Sequence, residues 1–202
     1  MVALRRFDPE DALERALHVF WAKGFDAASA QDLVDAMQIN RGSLYATFGS
    51  KRELHRQALD RYLARDRARL ATALDGTRPL RSALAHLLGD DADALAGDPQ
   101  RRGCLLANTC AQLDPDDHEL RDLLSDTLDN RRTLLSDALT AAQRRGEFPD
   151  HRDPEALAAY LVAVMQGMRL IGKTTADRDT LQHIIDTALS ALDGTAGHSS
   201  HG

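Results

Sequence analysis

Apolar side chains recur along this chain mostly at intervals of three and four residues, which is the spacing of one helix face. The apolar–polar alternation of a strand does not persist, and Ala, Leu, Arg, Asp and Glu outnumber β-branched residues. Prolines and glycines separate the periodic stretches. The pattern predicts an all-α protein with helices near 9–23, 30–37, 41–48, 51–75, 79–96, 103–112, 116–145, 154–173 and 177–192.

The first three helices carry clear start signals. Asp8 can cap the first, and Pro9 suits its first turn. Ser29 and Asp32 approximate a capping box for the second helix, and Asn40 is a good cap for the third. Two short helices across a turn of about three residues, braced by another helix, predict a helix-turn-helix.

The third helix, "RGSLYATF", has an inward and an outward face. Leu44 and Phe48 lie four residues apart, so both point inward. The polar residues of the helix lie on its other side. Arg41 is the best candidate to bind a guanine, because its guanidinium can donate two parallel hydrogen bonds. Gly42 would let the backbone approach a phosphate closely. Tyr45 has two interpretations: a contact to DNA, or an aromatic residue of the core.

The last two helices have broader apolar faces than one small domain needs. Two such helices could pair with those of a second copy in a four-helix interface. Residues at this predicted dimer interface are Leu161, Gly167, Met168, Leu181 and Ile184. The alternative is that these faces are buried within one chain.

Composition limits the class of protein. With 43% hydrophobic and 28% charged residues, the chain can bury a core. No run of eighteen apolar residues and no secretory signal is visible, and two cysteines cannot form a disulfide framework, so we expect a cytoplasmic protein. The net charge of −6 argues against non-specific coating of nucleic acid, but sequence-specific binding needs only a local patch. The sequence contains no P-loop, GxSxG, HExxH or dinucleotide-binding motif, so we expect no enzyme, no cofactor and no metal site.

The stretch "GFDAASAQDLVDAMQINRGSLYATFGSKRELHRQAL" resembles the DNA-binding domain of TetR-type, tetracycline-repressor-like, transcriptional regulators. The resemblance covers about residues 7–59. It implies a DNA-binding domain over 1–53 and a ligand-binding and dimerisation domain over 54–193. The remaining segment, 194–202, is rich in Gly, Ser and His, so we expect a disordered tail there. The resemblance also implies a homodimeric repressor that binds a near-palindromic double-stranded operator and is released by a small-molecule effector.

The resemblance assigns roles to individual residues. Ser29 and Lys51 would hold phosphates, Gln31 would be an extra base reader, and the third helix would face the groove with Arg41, Ser43, Tyr45 and Thr47. One position departs from the family. Gln38 stands where the turn commonly has glycine, so a left-handed backbone there would be strained and the turn could differ.

Candidates for the effector site are polar or soft residues of the later helices: Tyr62, Cys104, Asn108, Tyr160 and Met165. Cys104 follows two arginines at a predicted helix start, which favours a reactive thiolate and gives the alternative of a redox or electrophile sensor. The structural alternative is that Cys104 is a small side chain of the core. Two further alternatives are a Cys104–His118 hydrolase and a helix-turn-helix that binds protein rather than DNA.

Overall fold

The computed structural model describes residues 7–175 and 177–193, and in that part of the chain it contains nine α-helices and no strand. The first five helices are α1 (Pro9–Ala27), α2 (Ala30–Met37), α3 (Arg41–Phe48), α4 (Lys51–Ala73) and α5 (Leu80–Ala96). The others are α6 (Leu105–Ala111), α7 (His118–Arg144), α8 (Pro154–Thr174) and α9 (Arg178–Ser190). The all-α prediction is confirmed, and the predicted helices agree with these bounds to within a few residues.

Short polar side chains begin most of the helices. Each accepts a hydrogen bond from a backbone N–H group of the first turn, which would otherwise have no partner inside the helix. The capping residues are Asp8, Ser29, Asn40, Asp117, Asp153 and Asp177. The local sequence therefore sets where these helices start.

Helix α1 changes direction at Gly24, where the sequence predicts its end. Gly24 has φ 79° and ψ 174°, a conformation that is essentially restricted to glycine. A Cβ atom at this position would lie 2.6 Å from Oε1 of Gln112, the residue that follows α6. The short segment between Gly24 and Ala27 then leads into α2.

The contacts divide the chain into two compact units. Among the described residues, the first contains those up to Asp66 together with Cys104–Asp116, and the second contains Arg67–Gly103 and those from Asp117 to Asp193. The first unit thus extends past the domain boundary predicted at residue 53 and takes in α6. The predicted disordered tail, 194–202, lies outside the described residues.

The first unit buries one face of each of its helices. Phe20 is 1% exposed, and its ring lies 4.8 Å from the buried His55 ring, edge to face. Helices α1 and α4 are also joined by charge: Glu14 accepts hydrogen bonds from Arg61 Nε at 2.9 Å and from Arg65 Nη1 at 2.7 Å. The hydrogen bond from Arg65 is the main cause of the lowered pKa of Glu14.

The second unit has a Leu-rich core contributed by α5, α7, α8, α9 and the end of α4. At Gly172 of α8, a Cβ atom would lie 2.9 Å from the side chain of Leu95 on α5, so the glycine allows these helices to approach closely.

By length and composition alone, α8 could cross a membrane, although the sequence shows no apolar run of eighteen residues. It packs instead against α5, α7 and α9 and buries Arg169 as well as apolar side chains, as the core helix of a folded domain does.

Candidate nucleic-acid interface

The turn between α2 and α3 keeps the left-handed backbone despite its glutamine. Gln38 has φ 57° and ψ 39°. Its N–H group donates to the Asp35 carbonyl at 3.3 Å, and the Ile39 N–H group donates to the Val34 carbonyl at 3.2 Å. These two bonds form the usual glycine-type helix ending. The turn therefore does not change its geometry, and Gln38 adopts the conformation that is unfavourable for a side chain.

Helix α3 begins with a cap that explains its glycine. The Asn40 side-chain oxygen accepts a hydrogen bond from the Ser43 N–H group at 2.7 Å. A Cβ atom at residue 42 would lie only 3.2 Å from that oxygen. Gly42 therefore leaves room for the cap, in addition to exposing backbone at the front of the helix.

The two faces of α3 are as the sequence predicts. Leu44 is 1% and Phe48 4% exposed, so both anchor the helix in the first unit. Tyr45 is 42% exposed, which excludes its interpretation as a core aromatic residue. Arg41 and Thr47 are also exposed, and Ser43 is half-buried beneath the Asn40 cap. The helix thus presents polar side chains to solvent along its outer surface.

Ser29 at the start of α2 forms a capping box with Asp32. Its hydroxyl oxygen accepts from the Asp32 N–H group at 3.1 Å, while the Asp32 carboxylate accepts from the Ser29 N–H group at 2.9 Å. Lys23 Nζ lies 2.6 Å from the same carboxylate. The Lys23 hydrogen bond, with the Ser29 bonds after it, lowers the pKa of Asp32 to about 2. Gln31, two residues along, is exposed, and its amide donates to Asp35 at 2.8 Å.

Lys51, the first residue of α4, points toward the link between α1 and α2. Its Nζ atom lies 4.5 Å from the centre of the Phe25 ring and 3.4 Å from the Asp26 carbonyl oxygen. The ammonium group thus holds the link through a cation–π contact and a long hydrogen bond. The Lys51 side chain is half-buried.

The predicted effector residues fall into two separate groups. In the first unit, the Tyr62 hydroxyl donates to Cys104 Sγ at 3.4 Å, and Asn108 lies one turn further along, on α6. In the second unit, Tyr160 is 39% exposed, whereas Met165 is 2% exposed in the core. Tyr160 and Met165 are five residues apart, so their side chains point toward different sides of α8. They therefore do not share a site.

The surroundings of Cys104 give little support to a reactive thiolate. Cys104 is 2% exposed at the start of α6. The two arginines that suggested activation make contacts inside the second unit: Arg102 Nε lies 3.1 Å from Asp98, and Arg101 Nη1 lies 3.1 Å from the Thr174 carbonyl oxygen. The burial of Cys104 agrees with the structural alternative, a small side chain of the core.

The predicted dimer residues need correction. Leu161 and Met168 are 1% exposed and Leu181 is 0% exposed within the single chain, so these side chains have no surface left for a second copy. Gly167 and Ile184 are half-buried. The interpretation of burial within one chain therefore holds for three of the five residues.

Helix α8 is also largely apolar on its outer face, opposite the buried face that contains Leu161 and Met168. The sequence pattern alone does not distinguish the two faces. The residues of this outer stripe follow at alternating intervals of four and three: Ala156, Tyr160, Ala163, Gly167, Leu170 and Thr174. Leu170 is 60% exposed, the highest value among the large exposed hydrophobic residues described. This is the spacing of a helix seam that packs against another helix.

Comparison with known proteins gives matches to both parts of the chain. Residues 12–58 match the family described as "Bacterial regulatory proteins, tetR family", and residues 80–188 match "Tetracyclin repressor-like, C-terminal domain". The HTH-type transcriptional repressor ComR of Escherichia coli K12 is 33% identical over 184 residues, which cover 91% of this chain and 88% of ComR. The uncharacterised HTH-type regulator YezE of Bacillus subtilis 168 is 31% identical over 190 residues, 94% of this chain and 98% of YezE.

Solved structures agree with these sequence relatives. A cysteine-substituted form of the regulator CifR, solved in complex with a 26-base-pair operator DNA, has a TM-score of 0.83 and 33% identity. The match covers 93% of this chain and 98% of that one. Reduced NemR of E. coli has the same fold, with a TM-score of 0.80 at 20% identity. From these matches, together with the helix-turn-helix geometry, the chain belongs to the TetR family of bacterial transcriptional regulators.

Proposed function

We propose that this protein is a ligand-responsive transcriptional repressor that binds a near-palindromic operator as a homodimer. The observation that carries the proposal is the outer surface of α3, where Arg41 and Tyr45 are exposed while Leu44 and Phe48 fix the helix in the first unit. A short helix held in this way can enter the major groove without losing its orientation.

Each polar residue of this surface has a proposed role. Arg41 would donate to a guanine, and Tyr45 would contact a phosphate or a thymine methyl group. Ser43 and Thr47 would contribute further polar contacts along the groove, and Gln31 would read a base from α2. The backbone at Gly42 and the side chains of Ser29 and Lys51 would bind phosphates.

Dimerisation is proposed through the outer stripe of α8 together with the less buried side of α9. The residues that continue the spacing there are Thr180, Ile184 and Thr187, followed by Ala191 just after the helix. In a twofold dimer the same stripe of each copy faces its mate, so two helices from each chain form a four-helix interface. Gly167 lies in the middle of the α8 stripe, where it would allow close approach.

A small effector in the second unit would favour a state of the dimer in which the two reading helices no longer match the operator spacing. The effector must prefer that state, because equal affinity for both states shifts nothing. Helix α4 contains residues of both units and is the natural transmitter. In this function the protein is a cytoplasmic regulator with no catalytic role.

The direct test is whether the protein binds selectively to the DNA upstream of its own gene. Fluorescence anisotropy at several salt concentrations measures this binding. We expect tight binding to one near-palindromic segment and much weaker binding to a scrambled segment of equal length. Equal affinity for both segments would contradict the proposal.

A further inference from the structure

A buried polar cluster crosses the middle of the second unit. Asp91 on α5 accepts two hydrogen bonds from Arg169 on α8, from Nη2 at 2.9 Å and from Nε at 3.2 Å. Arg69, from the last turns of α4, donates to the other oxygen of Asp91 at 2.5 Å. Asp91 and Arg169 are 8% and 5% exposed. Three helices thus meet at one carboxylate.

The cluster continues to α7 through an amide oxygen. Gln166 Oε1 accepts a hydrogen bond from Arg131 Nη1 at 2.8 Å and a weaker one from Arg169 Nη1 at 3.4 Å. Arg131 is 3% exposed and Gln166 is half-buried. A single neutral oxygen therefore lies between two guanidinium groups that are almost removed from water.

A neutral oxygen is not the best acceptor at such a position. The bond from a guanidinium to this amide is already charge-assisted, but a carboxylate would add a full opposite charge, and the fork of an arginine matches a carboxylate in shape. A folded core also does not need buried charges, because apolar side chains of similar volume stabilise it as well or better. Charges at this position are easier to explain as recognition groups than as sources of stability.

The surroundings favour a ligand with an apolar body. Leu95 lies one turn from Asp91, Leu135 lies one turn from Arg131, and Met165 precedes Gln166; all three are buried in the core of the second unit. The residues that neighbour the cluster along α5, α7 and α8 are therefore apolar. Sites for small molecules commonly combine an apolar lining with a few polar groups in this way.

We propose that Arg131 and Arg169 form the recognition site for an effector that carries a carboxylate, and that the carboxylate takes the place of the Gln166 amide oxygen. The proposal rests on the ligand-responsive function proposed above and names the chemical class of its effector. Because Arg169 also binds Asp91, which binds Arg69 on α4, an anion that draws Arg169 away changes the contacts of α4 directly.

The decisive variant is Gln166→Glu, which supplies a carboxylate at the same position with almost no change in shape. We expect the variant without ligand to melt at a higher temperature than the wild type, since a charged acceptor replaces a neutral one between the guanidiniums. Gln100→Glu is the matched control, because it makes the same charge change at an exposed residue outside the cluster. A lower melting temperature in Gln166→Glu than in this control would overturn the electrostatic premise.

Ligand binding is measured on the DNA-free protein by thermal shift and calorimetry, with monocarboxylates from acetate to decanoate and benzoate and with the matching amides. We expect some of the acids, but not their amides, to raise the melting temperature of the wild type and of Gln100→Glu. Gln166→Glu should lose the response, and Arg131→Gln should bind at least roughly tenfold more weakly. No response to any acid, or an unchanged response in both cluster variants, would overturn the proposal.

Operator binding is measured separately by anisotropy, with and without the acid that binds best. Release of the operator by that acid, but not by its amide, supports both proposals. Loss of the acid response in the cluster variants alone supports this site even if the protein binds no operator; in that case the proposed regulatory function fails and the carboxylate site remains.

Discussion

The side-chain amide of Gln112 occupies the space that a side chain at Gly24 would need, since a Cβ atom there would lie 2.6 Å from its Oε1 atom. The residue after α6 thereby contacts the bend of α1 just before the helix-turn-helix, within one compact unit. Gly24 also has φ 79°, and this backbone conformation is the main barrier to other residues, because the Gln112 amide is the end of a flexible side chain that can move away.

Gly24→Ala should lower the free energy of unfolding by about 1–3 kcal/mol, because the backbone conformation is unfavourable for alanine, whereas the flexible Gln112 side chain can move aside. Urea denaturation measures the change. Gly89→Ala on α5 is the control, because no atom lies within 4 Å of its added Cβ atom. The control should be neutral or slightly stabilising. Equal effects of the two substitutions would contradict the assignment.

Gln38→Gly should raise the free energy of unfolding by about 1 kcal/mol, since glycine adopts the left-handed conformation without the steric cost that a side chain has there. The backbone hydrogen bonds of the turn are unchanged by the substitution, so operator affinity should stay close to that of the wild type. Thermal unfolding and anisotropy measure the two quantities. A decrease in stability would mean that the Gln38 side chain makes a compensating contact.

Arg41→Ala and Lys51→Ala should affect DNA binding in different ways. Loss of Arg41 should cost about 1–3 kcal/mol on the operator and relax selectivity at one base pair. Loss of Lys51 should weaken binding to all sequences alike and reduce the slope of log affinity against log salt by about 1. Anisotropy on operator and scrambled DNA separates the two. Arg144→Ala, exposed in the second unit, is the control and should change neither.

Leu170→Glu should shift the protein toward monomers without unfolding it, because it places a charge on the exposed apolar stripe of α8. Sedimentation measures the mass and circular dichroism the helix content. Ser125→Glu, exposed on α7, should leave the dimer intact. Leu161→Ala should instead destabilise the fold by about 2–5 kcal/mol, since its side chain is in the core of the second unit. A dimer that tolerates Leu170→Glu would place the interface elsewhere.

Asp32→Asn should destabilise the protein at pH 7 but not at strongly acidic pH. The pKa of Asp32 is lowered from 3.8 to about 2 in the folded state, so its contribution is fully present above the unfolded pKa and is lost as the pH falls toward 2. Denaturation of wild type and variant from pH 7 to pH 2 should show a difference that shrinks below about pH 4. A constant difference would assign the effect to shape rather than charge.

The helices of this chain could be predicted from the sequence because their determinants are local. Asp8, Ser29 and Asn40 each cap a helix within three residues, and Leu44 with Phe48 defines the buried face of α3. The exposed positions of α3 followed from the same periodicity, once the inward positions were known.

Contacts between distant residues could not be predicted in this way. Tyr62 and Cys104 are separated by 42 residues, and Asp91 and Arg169 by 78, so only tertiary packing brings them together. Helix α8 is apolar on two sides, and periodicity does not say which side faces the core. The assignment of Leu161 and Met168 to a dimer interface was wrong for this reason.

The Asn40 cap limits how the DNA specificity of this protein can be redesigned. Grafting the α3 sequence of another regulator would change every exposed side chain, but any residue other than glycine at position 42 would crowd the oxygen that holds the Ser43 N–H group. The Asn40 oxygen would then have to shift by a few tenths of an ångström to keep its hydrogen bond. A transplant that carries Asn40 and Gly42 together keeps the helix start of this protein unchanged.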